Sequence, residues 1–167
     1  DLNMVKLKDT ILCSNDSILL YPNYNGTALD VIWSDNRDFK NRLNPIGNNY
    51  INVWTPLQQK YYLELKGPGC SIFDSITVTN NVLDNNFFIS DTTGCSPLKV
   101  ELTNLSTNFD SLIWSFDGQV VYNSNITSHT FSTPGTYSIE LKTVSQACNK
   151  EIVRTKNINV FQSIQIK

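Results

Sequence analysis

Apolar and polar residues alternate with a period of two over much of the chain. From residue 137 onward Tyr137, Ile139 and Leu141 alternate with Ser138, Glu140 and Lys142, so one face of an extended segment is apolar and the other wet. Pro134 and Gly135, just before it, make a turn. The same arrangement occurs earlier: Thr55 and Pro56 lead into Tyr61, Leu63 and Leu65, which alternate with Tyr62, Glu64 and Lys66. Two such corners, each opening a half-buried strand, predict two domains. Strands are expected at residues 4–7, 9–13, 17–21 (closed by Pro22, which cannot donate to a central ladder), 29–34, 50–53, 61–66 and 71–79. Residues 23–27 are expected as a loop. Residues 35–49 read as a long polar loop pinned by Phe39, Leu43 and Ile46, and Gly67-Pro68-Gly69 as a hairpin.

The Asn-rich stretch 80–86 is placed at the boundary, which gives domains at 1–80 and 84–167. The order then repeats, with segments at 87–89, 98–104, 112–116, 120–122, 128–131 and 150–161. Cys13 to Trp33 is 20 residues and Cys95 to Trp114 is 19; Tyr61 to Cys70 is 9 and Tyr137 to Cys148 is 11. Short strands at turn-marked intervals, with a Trp on a middle strand and a Tyr entering a late one, predict an all-β chain of two tandem immunoglobulin-like β-sandwiches. Trp33, Tyr61, Trp114 and Tyr137 are the expected core markers. Leu20, Ile32, Val53, Leu63, Leu65, Leu102, Ile113, Phe131, Ile139 and Leu141 are expected around them.

Composition narrows the functional classes. The 13 basic and 15 acidic residues are dispersed, which favours neither nucleic acid nor an anionic membrane as partner. No apolar run approaches the ~18 residues a membrane span needs, so no membrane insertion is expected. The chain opens at Asp1 without an initiator Met, and a segment of something longer is the favoured reading, with neighbouring domains of the same polypeptide as its first partners.

Residues 87–162 resemble a PKD (polycystic kidney disease-type) domain through Gly94-Cys95-Ser96-Pro97-Leu98, Trp114-Ser115-Phe116-Asp117-Gly118, Ser128-His129-Thr130-Phe131 and Pro134-Gly135-Thr136-Tyr137. Ser115 stands where the family's core has Asp, and one residue of that core is absent. The first domain is similar to the Ig-like modules that accompany PKD domains in large secreted surface proteins and adhesins of Bacteroidetes. Ile11-Leu12-Cys13, Trp33-Ser34 and Gly69-Cys70, followed by Asp74-Ser75-Ile76-Thr77-Val78, carry that likeness. The resemblance implies a non-catalytic extracellular module, a spacer or adhesive segment of a larger surface or secreted protein. The alternative is a carbohydrate-binding accessory module of a secreted hydrolase.

Candidate chemistry is sparse. No nucleophile elbow, phosphate loop, calcium loop or matched carboxylate pair is present, so no enzyme, metal or cofactor is expected. The single His, His129, reads as a strand residue bonded to a neighbouring loop. The scattered Asp residues leave at most a weak calcium site near Asp110 or Asp117. Trp54 follows Val53, so if Val53 points inward Trp54 points out, where it could contact a surface glycan or protein; covering the Pro56 corner is the plainer role. Asn15, Asn25, Asn104 and Asn125 begin N-glycosylation sequons, and Thr10, Ser17, Ser75 and Ser111 sit in Asp-Ser/Thr-aliphatic triplets like those that Bacteroidetes O-glycosylate.

The four cysteines, none in a Cys-x-x-Cys spacing, predict disulfides and an oxidising compartment. Counting two per domain pairs Cys13 with Cys70 and Cys95 with Cys148. In an ordinary sandwich those sites lie at opposite ends, in which case Cys13 could instead reach Cys148 across the joint, with Cys70 and Cys95 pairing with neighbouring domains. The first pairing leads and the second stays open.

Overall fold

A computed structural model describes residues 2–47 and 49–163. Every regular element among them is a β-strand. The chain divides into two compact units, Asp1–Val82 and Leu83–Lys167.

The first unit contains β1 (Asn3–Met4), β2 (Thr10–Leu12), β3 (Ile18–Leu20), β4 (Tyr24–Asn25), β5 (Asp30–Ser34), β6 (Arg42–Leu43), β7 (Ile51–Val53), β8 (Gln58–Gly67) and β9 (Cys70–Asn80). Five strands form one sheet in the order β2-β9-β8-β5-β6, while β3 pairs with β7 and β1 with β4. Two of these strands fall where loops were expected. Tyr24 and Asn25 pair with Met4 and Asn3, and Arg42 and Leu43 pair with Ser34 and Trp33. The leading segment is split: β1 pairs antiparallel with β4, whereas β2 crosses to the other sheet and runs parallel to β9.

The second unit repeats this plan with β10 (Phe87–Ile89), β11 (Thr93–Cys95), β12 (Leu98–Asn104), β13 (Ser111–Phe116), β14 (Gln119–Tyr122), β15 (Ile126–Phe131), β16 (Gly135–Ser145) and β17 (Lys150–Phe161). Its sheets are β10-β12-β15 and β11-β17-β16-β13-β14, again with the short β11 parallel to the last strand. Two-residue turns close both kinds of hairpin. Pro68-Gly69, with Gly69 at φ +84°, joins β8 to β9, and Asp117-Gly118, both at positive φ, joins β13 to β14.

Each unit encloses its own core. Trp33 and Trp114 are fully buried, and each indole N–H donates at 2.8 Å to a carbonyl two residues ahead of the following inner strand, Asn49 O before β7 and Ser124 O before β15. A buried polar N–H is thereby paired rather than stranded. Around Trp33 lie Leu20, Ile51, Val53, Tyr61, Leu63 and Leu65; around Trp114 lie Phe87, Leu102, Phe116, Phe131, Ile139 and Leu141. Two expected core residues are placed differently. Ile113 is only half-buried, because in a strand the neighbours of an inward Trp face the opposite way; Leu112 and Phe116 share the inner face instead. Ile32 is buried, but on the outer face, apart from the cluster that holds Trp33.

The leading cysteine pairing is corrected. Cys13 and Cys148 are the disulfide-bonded residues, and Cys70 and Cys95 are exposed free thiols. The reason is visible within each unit. Cys13 follows Leu12, which pairs with Asn80 at the far end of β9, whereas Cys70 opens that same strand. Ten steps along a strand cover ~33 Å, and a disulfide needs Cα atoms within ~7 Å. In the second unit Cys95 pairs with Phe161 at the end of β17, while Cys148 precedes its start, so the same separation applies.

Candidate functional site

The corner between β7 and β8 builds the first candidate site. Val53 is buried at the end of β7, so alternation turns Trp54 outward, and it is 49% exposed. Thr55 is buried, and its carbonyl accepts from Asn80 Nδ2 at 2.9 Å, which ties the corner to the end of β9. Tyr61, buried at the entry to the hydrophobic part of β8, directs its hydroxyl to Trp54 O at 3.5 Å. Burial, and then the Asp35 carboxylate, push its phenol above the ordinary tyrosine range. The equivalent Tyr137 is half-buried; its hydroxyl donates to Thr133 O at 2.8 Å and lies 2.6 Å from Thr133 Oγ1. Both corners are thus latched by a tyrosine hydroxyl, a device of immunoglobulin-like sandwiches.

Trp54 stands at the rim of an open groove of about 470 Å³ with Tyr61 in its wall. Asp35, Asn44, Asn52 and Gln59 supply its polar groups. An exposed indole beside planar amides and a carboxylate can stack on one face of a flat or sugar-like ligand and hydrogen-bond its edge. Among the described residues that line the groove, none pairs a nucleophile with a base.

His129 does not enter a catalytic arrangement. It lies on β15, its side chain is 11% exposed, and its Nε2 is 3.2 Å from Asp117 Oδ2 in the β13–β14 turn. Its ring sits between Phe116 and Phe131, with centroids 5.1 Å and 4.6 Å away. The residue therefore packs against two core aromatics and anchors a hairpin tip. The two carboxylates weighed for calcium have protein partners: Asp117 has His129, and Asp110 Oδ2 accepts from Gln146 N at 2.5 Å. Among the described residues no three of His, Cys, Asp or Glu gather as a metal site.

Of the modification candidates, Asn15, Asn25 and Asn125 are exposed, while Asn104 is half-buried and donates to Asn125 Oδ1 at 3.2 Å. Ser17 is exposed; Thr10, Ser75 and Ser111 are half-buried in paired strands.

A second surface was not anticipated. On the outer face of the five-stranded sheet, Ser34, Tyr62 and Ser75 lie in one cross-strand row, and Ile32, Glu64 and Phe73 in the next. Residues 35–41 fold back over this face. Asn36 organises them: its Oδ1 accepts from Ser34 Oγ at 3.0 Å and from Lys40 N at 3.1 Å, and its carbonyl accepts from Phe39 N at 3.3 Å. This loop holds Phe39 at φ +55°, which costs a bulky L-residue about 1–2 kcal/mol, and sets its ring 5.9 Å from Phe73. No periodicity announces it, because the three aromatics come from a loop and two different strands.

No protein family and no curated protein matches the chain. Solved structures do. Drosophila OTK extracellular domains 3–5 are similar over 98% of this chain, at 11% identity and a TM-score of 0.60. Titin domains I67–I69 are similar over 95%, at 14% identity and a TM-score of 0.59. Both units are immunoglobulin-like sandwiches. The chain spans 62% of the OTK fragment and 65% of the titin fragment, less than two thirds of either. The PKD1 domain of the Vibrio cholerae metalloprotease PrtV is also similar, over 47% of this chain and 95% of its own length, at 20% identity and a TM-score of 0.40.

Proposed function

We propose that the chain is a non-catalytic extracellular module, a spacer or adhesive segment of a larger cell-surface or secreted protein, of the kind its motifs resemble in Bacteroidetes. The observation that carries this reading is the repetition of one sandwich plan in two units that spend their distinctive side chains on structure. The buried Trp, the corner Tyr and the lone His each hold strands, turns or corners together. The oxidised state of Cys13 and Cys148 fits an oxidising compartment. Fold alone does not decide function, so the weight rests on these residues.

The half-exposed Trp54 on its groove favours one further reading, a carbohydrate-binding accessory module of a secreted hydrolase. A neutral-glycan array probed with the wild type and with Trp54→Ala separates the two. The module reading predicts no binding that depends on Trp54. Firm binding abolished by that substitution would replace it with the accessory-module reading.

A further inference from the structure

The groove on the outer face of the first unit is distinct from the Trp54 corner. Its volume is about 780 Å³, within the ~300–1,000 Å³ typical of ligand sites, and Phe39, Tyr62 and Phe73 line it with Arg37 and Lys60. Phe73 is 60% exposed although it sits in the middle of a paired strand, and Phe39 is held against it from a left-handed backbone conformation. A bulky residue kept in that conformation, with its ring on an exposed aromatic, marks a built surface rather than a slack loop.

The charges on this surface are unequal in availability. The Asp74 carboxylate is used internally, with Oδ2 accepting from Leu7 N at 2.6 Å and Oδ1 from Ser75 N at 2.8 Å. Asp38 pairs with Lys40 at 2.9 Å. Among the described residues, Arg37 and Lys60 enter no ion pair; Lys60 Nζ lies 5.8 Å from the centre of the Tyr62 ring. The groove therefore offers aromatic faces together with two cations that enter no ion pair, while its neighbouring carboxylates each have a partner, Asp38 in Lys40, Asp74 in backbone N–H groups and Glu64 in Ser71 Oγ at 2.9 Å. The chain's net charge is −2, and it has no general affinity for polyanions to fall back on.

We propose that this groove binds an acidic polysaccharide, pyranose faces stacking on Phe73, Phe39 and Tyr62 while Arg37 and Lys60 pair with uronate carboxylates. This extends the adhesive side of the proposed function to a ligand class. The groove is open, as an internal stretch of a polymer requires. An extended acidic peptide is the less favoured occupant: β9 pairs with β2 only at Val78–Asn80, so a strand added beside Phe73 would lie along the edge of the sheet and not over Phe39, Tyr62 and the two cations on its face.

Titration with an oligogalacturonide, using a fully methyl-esterified oligomer, poly-glutamate and a set of variants as comparisons, tests this. The expected result is binding of the acid oligomer, weakened roughly tenfold by esterification and roughly tenfold by Arg37→Ala/Lys60→Ala. Phe73→Ala weakens it similarly, Phe73→Leu, which keeps apolar bulk without a flat ring, does so too, and Trp54→Ala leaves it unchanged. The two charge substitutions are at exposed positions and keep the fold, so their effect is readable even if Phe73→Ala unfolds. No binding, loss with Trp54→Ala instead of Phe73→Leu, or equal binding of poly-glutamate would overturn the proposal. The extracellular-module reading stands or falls separately, on where the chain resides.

Discussion

Replacing Trp114 by Ala should remove a large share of the stability of the second unit. Its side chain is fully buried, contacts the Phe87 ring edge-on at 5.2 Å and donates its indole N–H to Ser124 O at 2.8 Å. Burial of ~200 Å² at ~25 cal/mol/Å² gives ~5 kcal/mol as an upper bound on the transfer contribution. The stranded Ser124 carbonyl adds ~1–2 kcal/mol where water cannot reach it, and partial collapse of the cavity returns some of the total. The net cost is ~3–5 kcal/mol, against roughly 5–15 kcal/mol for a whole domain. Trp114→Phe keeps an aromatic ring and loses the N–H, so it should cost only ~1–2 kcal/mol. Native-state hydrogen exchange of the β13, β16 and β17 amides, with and without denaturant, reads the second unit specifically. Unchanged protection in Trp114→Ala, or equal losses in the Ala and Phe variants, would refute the assignment of this Trp as both packing centre and donor.

Two other perturbations follow from local geometry. Gly118→Ala meets no atom within 4 Å but places a side chain at φ +72°, so the midpoint of denaturation should fall by the equivalent of ~1 kcal/mol; an unchanged midpoint would contradict the left-handed turn. Tyr61 has its phenol raised by burial and then by Asp35, so its folded value lies above its unfolded one. The neutral form therefore contributes stability that is complete below the unfolded value near ~10 and is lost as pH rises through the folded one. Phenolate absorbance should include a late component that Tyr61→Phe removes, and a titration unaltered by that change would contradict the burial.

Much of the fold was legible because its signals repeat. The Cys, Trp and Tyr positions recur in one order, and alternation along residues 61–66 and 137–142 marks β8 and β16, the central strands of the two larger sheets. Other features left no such trace. Asn3–Met4 and Tyr24–Asn25 are two-residue strands, too short to show a period, and the crossing of β2 to the opposite sheet depends on a parallel pairing with β9. The run Leu112-Ile113-Trp114 is apolar throughout, so composition made Ile113 a core residue where period two assigns it outward. Cysteine parity misled for a related reason: pairs of residues per domain carry no information about which end of a strand each occupies. At the candidate sites, the outward turn of Trp54 could be read from its neighbour Val53. The groove of Phe39, Tyr62 and Phe73 could not, since a positive φ in a polar loop and a cross-strand register bring those rings together.

The most direct test of an extracellular module with this cysteine state is thiol labelling on intact source cells with a membrane-impermeant maleimide. The account predicts that Cys70 and Cys95 are labelled without lysis or reduction, and that Cys13 and Cys148 become reactive only after reduction of the unfolded chain. Labelling that appears only after the cells are broken would contradict the extracellular placement. Free Cys13 and Cys148 before reduction, or a Cys13–Cys70 or Cys95–Cys148 peptide in a non-reducing digest, would contradict the fold that separates those pairs.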